Sequence, residues 1–156
     1  MTALPDEAPD AVAQFLQLSV LVTGYDEYTL LGTGMVRPYY DELALIIGAR
    51  ELGSLLGAFS QIGRAHGQFR KRILESDRYG PVARNVMRLW YLGMWQQLPR
   101  EWRNAYGATS YDTDHMVSAA AYRAGLVWPT AGAHPMGARQ PGFGSWTEPP
   151  TLREPL

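Results

Sequence analysis

Apolar residues recur at helical spacing along most of this chain. From about Asp10 to Thr23, Val12, Phe15, Leu16, Ser19 and Val22 fall on one helical face, with Asp10 placed to cap the start and Gly24 to end it. A second helical pattern runs from about Tyr28 to Ile47. Pro38 inside it suits a helix start better than an interior, and Gly32 and Gly34 weaken the upstream half. A third pattern, about Ala49 to Gln68, carries Leu52, Leu55, Leu56, Phe59 and Ile62 but also four glycines, each costing roughly 1 kcal/mol relative to alanine. The fourth, about Pro81 to Gln97, has a dry face of Val82, Val86 and Leu89 and then turns apolar all round, from Leu89 to Trp95. A helix apolar on every face is buried on every face, either as the central helix of a bundle or under another chain. A short helix or turn at Arg100 to Tyr106 and a helix at about Asp112 to Gly125 complete the pattern. No strand-type alternation of useful length appears, so the predicted class is all-α.

The periodicity stops at Trp128. The last 28 residues, Pro129 to Leu156, hold six of the chain's 11 prolines and four glycines. Such a stretch is expected to run extended. Phe143 and Trp146 give it large rings to bury, so it reads as a contact arm. The predicted organisation is a small helical bundle over 1–128 and an extended Pro/Gly-rich arm over 129–156.

Length and composition fit this picture. A chain of 156 residues with 46% apolar content fits one domain with a substantial core. Fourteen basic and 15 acidic residues leave a net charge of −1, so no global field favours nucleic acid or an anionic membrane. The one basic cluster, Arg64, His66, Arg70, Lys71 and Arg72, reads as a solvated helix end, with docking to an acidic partner as the other reading. No cysteine is present, which removes disulfides, thiolate ligands and a thiol nucleophile. No unbroken apolar run approaches the ~18 residues of a membrane span, and Met1 to Asp10 lacks the charged and apolar regions of a signal peptide.

The residues offer no obvious catalytic set. His66, His115 and His134 have no second ligand at helical metal spacing. Asp112, Asp114 and His115 lie close together, but acidic residues at a helix start account for them more simply. No serine sits in a nucleophile elbow. Gly32-Thr33-Gly34 and Gly142-Phe143-Gly144 lack the strand-loop-helix setting of a phosphate loop. The sequence thus predicts no catalytic, cofactor-binding or metal-ligating residue. His134-Pro135-Met136-Gly137 is a four-residue string also found in FAD-dependent oxidoreductases of the GMC class. Here no dinucleotide motif accompanies it, and it reads as a turn with a packed histidine.

Several segments, in order, carry a resemblance. They are Phe15-Leu16-x-Leu18-Ser19-x-x-x-Thr23-Gly24, Tyr39-Tyr40-x-x-Leu43, Leu89-Trp90-Tyr91-Leu92-Gly93, Tyr111, Leu126-Val127-Trp128-Pro129 and Gln140-Pro141-Gly142-Phe143-Gly144-Ser145-Trp146. In that order the chain resembles the small, or gamma, subunit of bacterial FAD-dependent sugar and polyol dehydrogenases, such as those for glucose, fructose, sorbitol, gluconate and glucoside-3 oxidation. The resemblance implies a non-catalytic subunit. Its partner would be a GMC-type large subunit that holds the FAD and oxidises the sugar, with electrons passing to a c-type cytochrome subunit or another acceptor. It also implies export of the folded pair to the periplasm. No twin-arginine segment precedes Phe15, and Arg70-Lys71-Arg72 lies mid-chain, so a chain complete as given would be cytoplasmic.

On this reading the expected partner-binding residues are Trp90 and Trp95 of the apolar helix and Trp128, His134, Pro141, Phe143 and Trp146 of the arm. The alternative expectation is a self-sufficient small helical ligand-binding protein or enzyme whose tail closes its own pocket.

Overall fold

The computed structural model describes residues 9–62 and 65–135, and the side chains from Ala11 onward. It is mostly helical with one tiny two-stranded sheet. Helix α1 spans Pro9–Thr23 and ends where Gly24 takes a left-handed conformation, with φ of 76°. Its last turn is closed by threonine and serine chemistry. The Ser19 and Thr23 hydroxyls each donate to the carbonyl four residues back, and Tyr25 N donates to Thr23 Oγ1.

A short α2, Glu27–Gly32, is capped by Asp26, whose carboxylate accepts from Thr29 N at 2.6 Å. Hydrogen bonds from Thr29, its side chain first and then its backbone, hold the Asp26 carboxyl below its ordinary value. Then α3 begins at Val36 and puts Pro38 in its first turn, where the missing N–H costs nothing. It runs to Ile62, but Gly48 breaks it with φ of 84° and ψ of 157°. The carbonyls freed at that break are taken up from afar. Thr109 N donates to Ile46 O and Thr109 Oγ1 to Leu45 O, at 3.0 and 2.9 Å. By length and composition α3 would reach across a membrane, with a mean hydropathy of 1.4 over its most apolar window. That apolarity has a use inside the chain: Tyr39, Leu43, Ile46, Leu52, Leu55 and Leu56 form the middle of the core.

Helix α4, His66–Phe69, continues into a π-helical turn, Arg70–Leu74. Phe69 and Ile73 anchor the pair in the core while Arg70, Lys71 and Arg72 stay exposed. Helix α5, Gly80–Leu92, then packs Val82, Val86, Leu89 and Trp90 against α1 and beside the π turn. An ion pair with a buried carboxylate and a part-exposed guanidinium fixes the start of α5 to α3. Glu51, 5% exposed, receives two hydrogen bonds of 3.0 Å from Arg78. Arg78 also lies 5.4 and 5.3 Å from the ring centres of Tyr79 and Tyr106, and its carbonyl accepts from Trp102 Nε1 on α6, Arg100–Tyr106.

Two expected helices are shorter than the pattern suggested. Helix α5 stops at Leu92, not near Gln97, because Gly93 adopts φ of 69° and closes the helix through its N–H to Leu89 O. Met94–Trp95 then forms strand β1, antiparallel to β2, His115–Met116, with Met94 opposite Met116 and Trp95 opposite His115. The helix expected from about Asp112 is instead α7, Ala119–Ala124, capped by Ser118 through Ala121 N. The acidic residues upstream are occupied elsewhere. The arm also begins differently from the expectation: Val127–Thr130 is one helical turn, α8, with Trp128 and Pro129 inside it. A proline near a helix start is sterically welcome, so the extended reading fails at this point. The remainder of the arm, from Met136 on, lies outside the described residues.

Candidate functional site

Three of the resembling segments, far apart in sequence, meet at one end of the fold. The Tyr91 hydroxyl of α5 donates to Thr23 O at the end of α1 at 2.6 Å. Burial first, and then the neighbouring Tyr25, push the Tyr91 phenol above its ordinary value. Leu126 N donates to Trp90 O at 3.0 Å, and Val117 N to Gly93 O at 2.9 Å. The approach is too close for side chains. A Cβ on Gly93 would stand 2.7 Å from the Ala121 backbone, and one on Gly125 would stand 2.8 Å from Tyr91 O. The α8 turn is pinned to the same place. Tyr25 and Thr130 share a hydrogen bond of 2.7 Å between their hydroxyls, and Trp128 Nε1 donates to Tyr122 O at 3.0 Å. The ring of Tyr122 stands edge-on to that of Trp128, 5.5 Å away.

The expected contact residues separate into three groups. Trp90 and Trp95 are 1% and 0% exposed, inside the chain's own core. Of the two explanations for the all-apolar stretch, the central helix therefore holds for Trp90, and Trp95 is off the helix altogether. Trp90 packs edge-on to Tyr39 at 4.9 Å, and its indole N–H and the Tyr39 hydroxyl are both buried without a hydrogen-bond partner. Trp128 and His134 are half-buried, and His134 Nδ1 is an enclosed atom without a partner. Pro141, Phe143 and Trp146 lie outside the described residues.

Asp112 is the residue that sequence reasoning misplaced most. It is buried, and its Oδ1 accepts from Trp95 Nε1 at 2.8 Å and from Leu98 N at 3.0 Å, with Arg103 Nε 3.8 Å from its Oδ2. Asp114 accepts from Gln97 N at 2.6 Å. These carboxylates therefore hold the segment after β1, and neither starts a helix. Next to them His115 contacts Glu42 Oε1 through Nε2 and Thr113 O through Nδ1, both at 2.5 Å. Burial lowers its pKa, but the bonds to Glu42 and Thr113 and the charges of Glu42 and Asp112 together raise it above 6.5.

Two of the recesses among the described residues bear on function. One, of about 800 Å³, lies between α1 and the end of α3; Leu16, Val20, Leu21 and Phe59 give it an apolar floor, and Asp26, Glu27 and His66 stand among its polar lining. The Asp26 carboxylate is occupied as the α2 cap, and Glu27 accepts from Gln17 Nε2 at 3.0 Å. The other, of about 690 Å³, lies beside the start of α5, where Arg84 donates to Leu74 O and Glu75, Asp77 and Glu101 stand among the lining with Trp102 and Tyr106. Among the described residues no three His, Asp or Glu side chains come together as a metal site would require. Large apolar side chains do reach the surface. Leu92, Met94 and Met116 are each about two-fifths exposed, and cross-strand pairing puts Met94 and Met116 on one face.

No known family model, no curated protein and no solved structure matches the chain.

Proposed function

We propose that this chain is a non-catalytic small subunit that binds and stabilises a GMC-type FAD-dependent sugar or polyol dehydrogenase large subunit and assists its maturation or export. The observation that supports this reading most is the meeting of Thr23, Tyr91, Gly93, Leu126 and Trp128 at one end of the fold. These residues belong to the segments that carry the resemblance, so the resemblance follows a shared architecture, and the partner is inferred from that kinship. A proline-rich arm reduces the ordering cost of docking. FAD would reside on the partner, and electrons would leave toward a cytochrome or other acceptor. Periplasmic placement belongs to the same proposal.

The alternative, a self-sufficient ligand binder, draws on the apolar recess along α1. Its rim includes Gly24 and Asp26, on either side of Tyr25, which holds Thr130 of α8. Co-expression with a GMC-type large subunit separates the two. The proposal expects a yellow heteromer with sugar:dye oxidoreductase activity that neither chain shows alone. Trp146→Ala should weaken the pair by about 2 kcal/mol, roughly 30-fold in Kd. Co-purification unchanged in that variant would refute the arm's role, and activity of this chain alone would favour the alternative.

A further inference from the structure

The segment between α6 and α7, from Gly107 to Ser118, crosses the face of α3 and is tied to it at two places. At one end, Thr109 closes the break at Gly48 through its N–H and hydroxyl to Ile46 O and Leu45 O. At the other, His115 reaches Glu42. Both imidazole nitrogens face acceptors at 2.5 Å, a carboxylate oxygen and the Thr113 carbonyl. Neither acceptor carries a proton to give when Glu42 is ionised, so both ring nitrogens must be donors, and that species is the imidazolium. A neutral ring would set a nitrogen lone pair against one of these oxygens.

We propose that His115 and Glu42 form a proton-controlled clasp, which holds the β2 end of this segment on α3 while the imidazole is charged and lets it come away when the charge is lost. Charge surrounds the ring from each side. Glu42 faces it from α3, Asp112 and Asp114 flank it on its own segment, and Arg103 of α6 stands 3.8 Å from Asp112, partly offsetting that carboxylate. Its strand partner Trp95 is neutral. The balance favours the cation, in keeping with a pKa above the ordinary 6.5. The clasp is therefore fully made below the ordinary value and is lost as pH rises through the raised one. The Thr109 tie involves no titrating group and persists throughout. What changes is the set of the strand that carries the exposed Met116 beside Met94, so the apolar strip at this edge becomes sensitive to pH near neutrality.

The test is a pH titration of the full chain by NMR. The His115 ring resonances give its pKa, and hydrogen exchange at Val117 and Thr109, corrected for intrinsic rates, reads the two ends of the segment. The clasp predicts a His115 pKa above its ordinary value and a loss of Val117 protection of about three- to tenfold across that transition, because the pair is partly exposed. Protection at Thr109 should change much less. Glu42→Gln keeps an acceptor without the charge, and should return the His115 pKa toward the ordinary value and abolish the step at Val117. A His115 pKa at or below the ordinary value overturns the clasp. So does Val117 protection that stays flat with pH, or a step that survives in Glu42→Gln and so belongs to His66 or His134. Should Glu42→Gln fail to fold, the wild-type titration decides alone.

Discussion

Replacing Asp112 separates two accounts of the same acidic residue. As a first-turn acid on a helix, the role its sequence context suggests, it would be worth at most about 1 kcal/mol. The structure gives it more to do. Its carboxylate, 1% exposed, accepts from Trp95 Nε1 at 2.8 Å and Leu98 N at 3.0 Å. A hydrogen bond to a charged group contributes about 1.5–3 kcal/mol, and two that share one carboxylate sum to less than twice that. Arg103, more than a third exposed and 3.8 Å away, adds little. Asp112→Ala also strands the buried indole N–H, so we expect a loss of about 3–5 kcal/mol, a large part of a typical domain's stability. Asp112→Asn should cost only about 1–2 kcal/mol, because a single oxygen in the Oδ1 position serves both donors. Urea unfolding followed by tryptophan fluorescence measures both, and near-UV circular dichroism reports the packing of Trp95. If Asp112→Ala lies within about 1 kcal/mol of the wild type, the buried-hub account is wrong.

Two further substitutions test the core. Tyr39→Phe removes a hydroxyl that is buried without a partner, and whose burial pushes the phenol well above its ordinary pKa. Its thermal stability should be unchanged or higher by about 1 kcal/mol, since the edge contact with Trp90 survives; a loss of more than about 1 kcal/mol would mean that the hydroxyl is bonded in solution. Glu51→Gln leaves the Arg78 guanidinium without its counter-charge and should cost about 2–3 kcal/mol in urea unfolding, less than a fully buried pair because Arg78 is about one-third exposed. A cost below about 1 kcal/mol would show that the stacked tyrosines, and not the ion pair, hold α5 to α3.

Local signals predict much of the helical framework. Helix α1 and its glycine stop, the start of α3 near Pro38 and the boundary at Gly48 all follow from spacing, proline and glycine, since each depends on residues within one or two turns. The errors lie where distant residues decide. An apolar run from Leu89 to Trp95 looks like one helix, yet Gly93 ends it with φ of 69°, and the Ala121 backbone, 2.7 Å from where a Cβ would be, keeps that position a glycine. Gly93 is a glycine stop signal set among apolar residues on both sides. Asp112 and Asp114 look like a helix start because nothing local reveals that Trp95, Gln97 and Leu98 will need acceptors. The pairing of His115 with Glu42, 73 residues away, has no local signature at all.

The same distinction bears on what the resemblance can support. Phe15, Leu18 and Ser19 are wholly buried, Thr23 closes α1, Trp90 sits in the core, and Gly93 and Gly125 permit close backbone crossings. Each is required by this fold whatever the chain binds, so agreement at these positions speaks first for a shared architecture. Evidence for a particular partner must come from residues that the fold does not need. Among the described residues those include the exposed Leu92, Met94 and Met116, and Tyr28 and Leu31 on α2. Substitutions there leave the core intact, so any lost association reads on binding and not on folding. Trp90 and Trp95, the most conspicuous aromatic residues of the helical region, are for that reason the least suitable probes of the partner.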